Sequence, residues 1–344
     1  MKKKPLNIQE MAKKAGVSVA TISRAMNPET RAKLAPETLE RVDALVRRHG
    51  YTPNLAARHL RKSSYRTLGL VFPHHPGILS SEYYSEILSG VADGLYESEY
   101  RLKMILLKPG AELWDRYDFR GGESIDGMIL TYWRSVFSDA DVFKTLKIPC
   151  VVVNNVEKNL PVHFVAADHF EGGRLAAHHL AENGHREIAV FSGPLYSPDT
   201  VVRLAGFRAG LQEAGLSLPD SRMIDVNFEE EKAYGAAAPF LKKHPEVTAL
   251  FCMNDVQAHG VLRRLKELNV PCPGKISVIG YDDDRPSANS EPPLTTVRAP
   301  VYELGRLAAQ DLIAHLAAPE KPAFGEARML PVTLIERASV KLLN

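Results

Sequence analysis

The chain has little of what would mark a secreted, membrane-bound or cofactor-dependent protein. Its 344 residues include three cysteines, Cys150, Cys252 and Cys272. So few, so widely spaced and odd in number, they indicate neither a disulfide framework nor a zinc site. No apolar run approaches the ~18 residues a bilayer requires, and the basic start, Met1 to Pro5, has no apolar segment behind it. Neither a signal peptide nor a membrane span is expected, and the compartment reads as cytoplasmic. No GxGxxG or Walker A stretch occurs, so a dinucleotide or nucleotide site has no support and no cofactor is expected. The pairs His74-His75 and His178-His179 suggest a metal at first sight. Adjacent histidines cannot share one helix face, and no carboxylate stands at ligand spacing, so no metal is expected either.

Charge of one sign is also missing overall, with 43 Lys and Arg against 41 Asp and Glu. The balance hides an asymmetry: residues 1–62 hold 14 basic and 5 acidic side chains, whereas the other 282 hold 29 and 36. A basic head on a mildly acidic body predicts nucleic acid contact through the head alone, since phosphate neutralisation supplies most sequence-independent affinity.

Within that head, Asn7 to Asn27 reads NIQEMAKKAGVSVATISRAMN. Ile8, Met11, Ala12 and Ala15 recur at i, i+3, i+4 and i+7, one apolar face of a short helix. Gly16 breaks the period, and Ser18 is suited to cap a second helix from Val19. Ile22, Ala25 and Met26 share its inner face, leaving Val19, Ala20, Ser23 and Arg24 on the other. Two short helices with a tight Gly-containing turn describe a helix-turn-helix. Small side chains let such a helix sink into the major groove, where Arg forks onto guanine. The competing reading, a helical hairpin inside a larger core, is disfavoured by the basic surroundings. A third helix is expected over 36–49, with Pro36 at its first position and Gly50 at its end. Beyond it, LAARHL (55–60) is too short and too weakly apolar to be a stable helix in water. It reads as a hinge that becomes helical against a partner. Leu60 either packs on the neighbouring domain or wedges between base steps in the minor groove.

From Thr67 the pattern changes to alternating strand and helix signals. Strand-length runs are LGLVF (68–72), LKMILL (102–107), DGMILT (126–131), CVVVN (150–154), EIAVF (187–191), ALFCM (249–253) and ISVIGY (276–281). Helical stretches lie between them at 82–98, 170–183, 201–214, 230–243, 256–268 and 301–316. Such alternation builds parallel sheets covered by helices. Roughly 280 residues is long for one such sheet, so two lobes with a ligand cleft between them are expected.

Several motifs carry a resemblance. AGVSVATISRAMN, GYTPNLAARHL, HLAENGHREIAVFSGP, RLAGFRAGL, MNDVQAHG, ISVIGYDD and PPLTTV occur here in the order and approximate spacing of the LacI/GalR family of bacterial transcription repressors. The chain resembles that family along essentially its whole length. The resemblance implies an all-α helix-turn-helix headpiece plus an α/β core of two Rossmann-like lobes, similar to periplasmic sugar-binding proteins. It implies a head at 1–64, with a hinge helix at about 53–60, and an effector-binding and dimerisation region at 65–344. The N-terminal lobe would take about 65–165 and 296–325, the C-terminal lobe about 166–293 and 326–344, with three crossings between them.

Carried over by position, Val19, Ala20 and Arg24 would read base edges, with Ser18, Thr21 and Ser23 on phosphates. Ala57 and Arg58 would lie along the minor groove beside the intercalating Leu60, and a homodimer would match a palindromic operator on double-stranded DNA. In the cleft, the effector positions are Tyr83, Tyr84, Asn154, Asp199, Arg203, Phe228, Asn254 and Asp282, with Thr131 and Trp133 as further lining. They fall at the carboxyl ends of strands, where open α/β sheets place ligands. Amides, carboxylates, an Arg fork and aromatic rings suit a polyhydroxylated small molecule, so a saccharide is the expected effector. Asp282 is followed by Asp283 and Asp284, and one of the three is expected to be a turn or cap residue.

The chain departs from the family pattern in three places. The loop PHHPGILSSE is longer than usual, the link PETRAKLAPET is about two residues longer than typical, and no leucine heptad follows LPVTLIERASV. The last makes a dimer the expected assembly rather than a tetramer. Two other classes compete. A cytoplasmic sugar-binding receptor without DNA regulation leaves the basic head unexplained. An enzyme would need a nucleophile–base pair, metal set or cofactor loop beside Asp282 and Arg203, and none is present.

Overall fold

The structure, a computed structural model, describes residues 6–26, 28–51, 64–74, 77–107, 124–131, 143, 146, 148–154, 162–318, 325 and 327–343. The chain divides into two compact units, Met1–Tyr65 and Arg66–Asn344.

In the first unit, α1 (Ile8–Ala15) starts at a capping box: the Asn7 side chain accepts from the Glu10 amide at 2.9 Å, and Glu10 accepts from the Asn7 amide at 2.8 Å. Two helix-end donors are thereby satisfied. Gly16 ends the helix at φ 65°, a left-handed turn that glycine adopts without a Cβ penalty. Ser18 then caps α2 (Val19–Ala25), accepting from the Thr21 amide at 3.1 Å. The longer link folds into a short helix, α3 (Pro28–Arg31), absent from the sequence reading. Its Arg31 donates to the Ala25 carbonyl at 2.8 Å and pairs with Asp43, tying the end of α2 to α4 (Pro36–His49). Met11, Ala12, Ala15, Ile22, Ala25, Val42 and Tyr51 form the buried core. The expected hinge helix, with Ala57, Arg58 and Leu60, lies outside the described residues.

The second unit carries two six-stranded sheets. The first contains β1 (Thr67–Pro73), β2 (Arg101–Leu107), β3 (Gly127–Leu130), β4 (Cys150–Val153), β5 (His163–Ala167) and β11 (Ala327–Leu330), in the order β11-β5-β4-β3-β1-β2. The second contains β6 (Ile188–Ser192), β7 (Met223–Asp225), β8 (Ala249–Cys252), β9 (Ser277–Asp282), β10 (Thr295–Arg298) and β12 (Thr333–Ile335), in the order β12-β10-β9-β8-β6-β7. Neighbours are parallel except β10 and β12. Central strands such as β3, β4 and β8 are buried at every residue, which is why they read as continuous apolar runs rather than alternating ones. The helices are α5 (Glu82–Leu95), α6 (His169–Glu182), α7 (Pro198–Glu213), α8 (Glu230–Lys243), α9 (Asp255–Glu267) and α10 (Val301–Ala317).

The chain crosses between sheets after β5, after β10 and between β11 and β12. Two boundaries drawn from the resemblance shift. Thr295–Arg298 pairs with Ile279–Asp282 and so belongs to the second sheet, whereas Ala327–Leu330 pairs with Phe164–Ala167 and belongs to the first. The buried β-branched run Thr295-Thr296-Val297 is held in the second sheet's ladder, so the chain leaves that sheet only beyond Arg298.

Candidate functional site

In the head, Ile22 and Ala25 face the core, while Ala20, Ser23 and Arg24 are exposed and Val19 and Thr21 half-buried. The hydroxyls of Ser18 and Thr21 lie 2.9 Å apart at the start of α2. The Arg24 guanidinium has no hydrogen-bond or ion-pair partner among the described residues. The head's order depends on the Ser18 cap. Ser18→Ala is expected to destabilise it by ~1 kcal/mol. Hydrogen exchange checks this, with faster exchange across residues 8–25 and none of the change in Arg66–Asn344.

The cleft begins where strands end. Asn154, after β4, is buried in the left-handed region at φ 65°, which Asn tolerates better than most residues. Its side chain accepts from the Ala167 amide at 3.3 Å and donates to the Tyr83 hydroxyl at 3.0 Å. An aspartate could not supply that donor. Tyr83 and Tyr84, in the first turn of α5, meet edge to face at 5.0 Å, and Tyr84 packs the same way on Phe72 at 5.6 Å. Burial raises the Tyr83 pKa well above its usual value, assisted by Tyr84 and the carboxylates Asp199 and Asp282.

Those carboxylates come from the second lobe. Asp199, in the first turn of α7, accepts from the Ser197 hydroxyl. One turn on, Arg203 is 3 % exposed. It donates through Nη1 to the Met253 carbonyl and through Nη2 to His169 Nδ1 at 3.0 Å, and lies 3.6 Å over the Tyr281 ring. Its Nε is buried without a partner among the described residues.

The triplet after β9 sorts itself by partner. Asp283 takes Arg298 at 2.7 Å and Arg337 at 2.6 Å. Asp284 caps the turn Arg285–Ala288 and meets His259 at 3.0 Å. Two of the three are therefore structural, where one was expected. Asp282 alone keeps a carboxylate with no hydrogen bond or ion pair among the described residues. Burial pushes its pKa up to about 7; Arg203 opposes this, while Asp284, Asp199 and Glu86 add to it.

Other expected positions are held differently. Phe228 sits at φ 58° with its ring against Gly193, where any Cβ would collide with it. Asn254 forms the capping box of α9 with Gln257 at 2.9 Å and donates to the Phe228 carbonyl at 3.3 Å, so its amide already has partners. The buried Thr131 hydroxyl donates back to the Val71 carbonyl at 3.0 Å. Trp133 lies outside the described residues.

Sequence reasoning missed His169, Tyr281 and Asp255. His169 precedes the apolar run of α6 and Tyr281 ends a buried strand, so both read as core. Asp255 is buried and accepts from Thr296 at 2.6 Å, Ser287 at 2.8 Å and the Asp284 amide at 3.0 Å, which fixes the loop behind Asp282. The only available signal was its adjacency to Asn254. The lobes also touch through Glu82, which accepts from the Arg285 amide at 2.9 Å.

Comparison with known proteins places this geometry among relatives. Residues 7–54 match the profile of bacterial regulatory proteins, lacI family, and residues 177–340 match a periplasmic binding protein-like domain. The chain is 31 % identical over 350 residues to the HTH-type transcriptional repressor PurR of Vibrio atlanticus, covering 98 % of this chain and 99 % of the relative. Among solved structures it is similar to the transcriptional regulator CelR in complex with cellobiose, with TM-score 0.73 and 27 % identity over 97 % of this chain and 99 % of that one. It is also similar to a regulator from Enterococcus faecium with bound ribose, with TM-score 0.70 and 29 % identity over 81 % of this chain and 100 % of that one.

Proposed function

The chain belongs to the LacI family of bacterial transcription regulators, DNA-binding repressors with an effector-binding core rather than enzymes, and on that premise we propose that it works as a cytoplasmic homodimer on a palindromic operator, controlled by a saccharide or saccharide derivative held between the lobes. The carrying observation is that two polar groups of the proposed site have no partner among the described residues, the buried Arg203 Nε and the half-buried Asp282 carboxylate. Sugar hydroxyls both donate and accept, so one ligand satisfies both groups while the Tyr83 and Tyr84 rings cover apolar faces. The cellobiose and ribose bound by the two similar regulators support this ligand class. Among the described residues no helix is long and apolar enough to cross a membrane.

In this reading the head spans 1–64 and the core 65–344. Val19, Ala20 and Arg24 meet base edges, Ser18, Thr21 and Ser23 meet phosphates, and Ala57, Arg58 and Leu60 enter the minor groove. Asp199, Asn154, Tyr83, Phe228, Asn254, Thr131 and Trp133 complete the cleft. Coupling of ~1–3 kcal/mol between effector and operator would make a useful switch.

Two experiments test the two halves. Thermal-shift screening of ribose, cellobiose, nucleosides and sugar phosphates is expected to yield a saccharide hit, and hits confined to another class would replace the ligand assignment. For DNA, Arg24→Ala is expected to cost ~1–3 kcal/mol of base discrimination while nonspecific binding persists. Mobility shifts on a palindromic duplex selected from a random pool, against a scrambled duplex, measure this. Unchanged selectivity would remove Arg24 from the reading face.

A further inference from the structure

His169 is the first residue of α6, directly after the first crossing, and it is buried with the ligand-facing Arg203 and with Tyr281. Its Nδ1 lies 3.0 Å from Arg203 Nη2 and 2.9 Å from the Tyr281 hydroxyl. A guanidinium only donates, so Nδ1 is the unprotonated nitrogen, its single lone pair shared between the guanidinium and the Tyr281 hydroxyl, and the ring proton sits on Nε2, which is buried without a partner among the described residues. The backbone is shaped for this meeting. A Cβ at Gly172 would stand 2.6–3.0 Å from the Tyr281 ring and hydroxyl, and one at Gly173 would collide with the Arg203 carbonyl.

The arrangement settles where the guanidinium points. Met253, His169 and the Tyr281 ring hold it from three directions, and it makes no ion pair with Asp282 although its charge acts on that carboxylate. Without an acceptor at Nδ1, the nearest strong alternative for a buried guanidinium is a carboxylate. We propose that His169 is a positioning residue whose unprotonated Nδ1 holds the Arg203 guanidinium against Tyr281 and away from Asp282, so that both charged groups stay open to the effector. This rests on the cleft reading above, yet it concerns the unliganded protein and is tested there.

The imidazole's own environment agrees. Burial and the Arg203 charge both push its pKa well below the usual 6.5, against a smaller pull from the Asn154 backbone. The groups acting on Asp282 are Arg203 and Asp199 from α7, Asp284 from its own loop and Glu86 from α5.

The test is nuclear magnetic resonance on the full chain without ligand. In protein labelled at histidine nitrogen, with His169 identified by its loss in His169→Asn, the ring is expected as the Nε2–H tautomer down to pH 5.5. An Nδ1–H tautomer, or titration near 6.5, would overturn the proposal. In protein labelled at aspartate carboxyl carbon, with Asp282 identified by Asp282→Asn, the midpoint near 7 is expected to drop below 5 in His169→Leu as Arg203 swings onto the carboxylate. His169→Asn, whose amide oxygen replaces Nδ1, should restore it. An unmoved midpoint in a folded His169→Leu would overturn the positioning role. A saccharide screen without hits would sink the ligand reading and leave these two results standing.

Discussion

Arg203→Ala is expected to abolish detectable effector binding, with an affinity loss of ~10–100-fold for ribose, cellobiose or whichever tested saccharide stabilises the parent protein. A hydrogen bond from a charged donor contributes ~1.5–3 kcal/mol, and every 1.4 kcal/mol is about tenfold in affinity. The substitution also strips a donor from the Met253 carbonyl and the cation from the Tyr281 ring face, while the Tyr281 hydroxyl still serves His169 Nδ1. A buried acceptor left without a donor costs ~1–3 kcal/mol. The variant should therefore melt several degrees lower as well as bind no sugar. Arg203→Lys separates the effects, because an ammonium restores the charge but not the fork that reaches two acceptors at once. It is expected to recover stability before it recovers binding. Calorimetric titration and thermal melts measure both, and retained saccharide affinity in Arg203→Ala would move the site elsewhere.

The second large effect belongs to Asp282. Its carboxyl is pushed up to about 7 in the folded chain against an ordinary value of 3.8. Between those values the folded state holds a proton that the unfolded state has released. Stability therefore falls as pH rises from about 4 to about 7 and stays low above it. At ~1.4 kcal/mol per unit the difference reaches at most ~4 kcal/mol, with solvent entering the cleft lowering that figure. Asp282→Asn removes the titration. It is expected to differ least from the parent protein near pH 4, to exceed its stability at pH 8 and to lose saccharide affinity. Urea midpoints at the two pH values check the first part, and equal pH slopes in the two proteins would refute it. The same group gives binding its own pH dependence. Sugar hydroxyls donate to the ionised carboxylate, so affinity should rise through pH 7.

On the proposed reading Asp282 costs the empty protein stability that a ligand would return, which is the pattern expected where function and folding compete. Stability alone would favour Asn at this position. The neighbouring Asp283 and Asp284 carry no such conflict, since Arg298, Arg337 and His259 from other elements pair with them.

What the sequence disclosed and what it hid divide along physical lines. The helix-turn-helix was legible because its determinants are local. A 3.6-residue period, a left-handed glycine and a Ser cap all lie within twenty residues, and α1 and α2 lie within the stretch where those signals put them. The alternating lobes were legible because buried parallel strands such as Cys150–Val153 read as apolar runs. His163–Ala167 was passed over although it is equally buried, because HFVAA opens on a polar residue that the fold hides beside Asp311. The crossings were misplaced by a few residues because sheet membership is decided by pairing partners distant in the chain. In the proposed cleft, Asp282 and Asn154 were singled out at strand ends, whereas Arg203 lies inside α7 and was singled out by the resemblance. Nothing local disclosed that the Asn254 amide caps a helix. His169 and Tyr281 were hidden for the opposite reason. Their chemistry exists only once α6, α7 and β9 bring three side chains to one nitrogen.

The triple connection between the sheets has a mechanical consequence. A single thread between two bodies would permit twisting and sliding, whereas three connections restrict both and favour a hinged swing. On the proposed reading, a gap that widened to admit a molecule would keep Asn154 and Tyr83 facing Asp282 and Arg203, and a guest settled against one wall would meet the opposite one aligned as the gap narrowed.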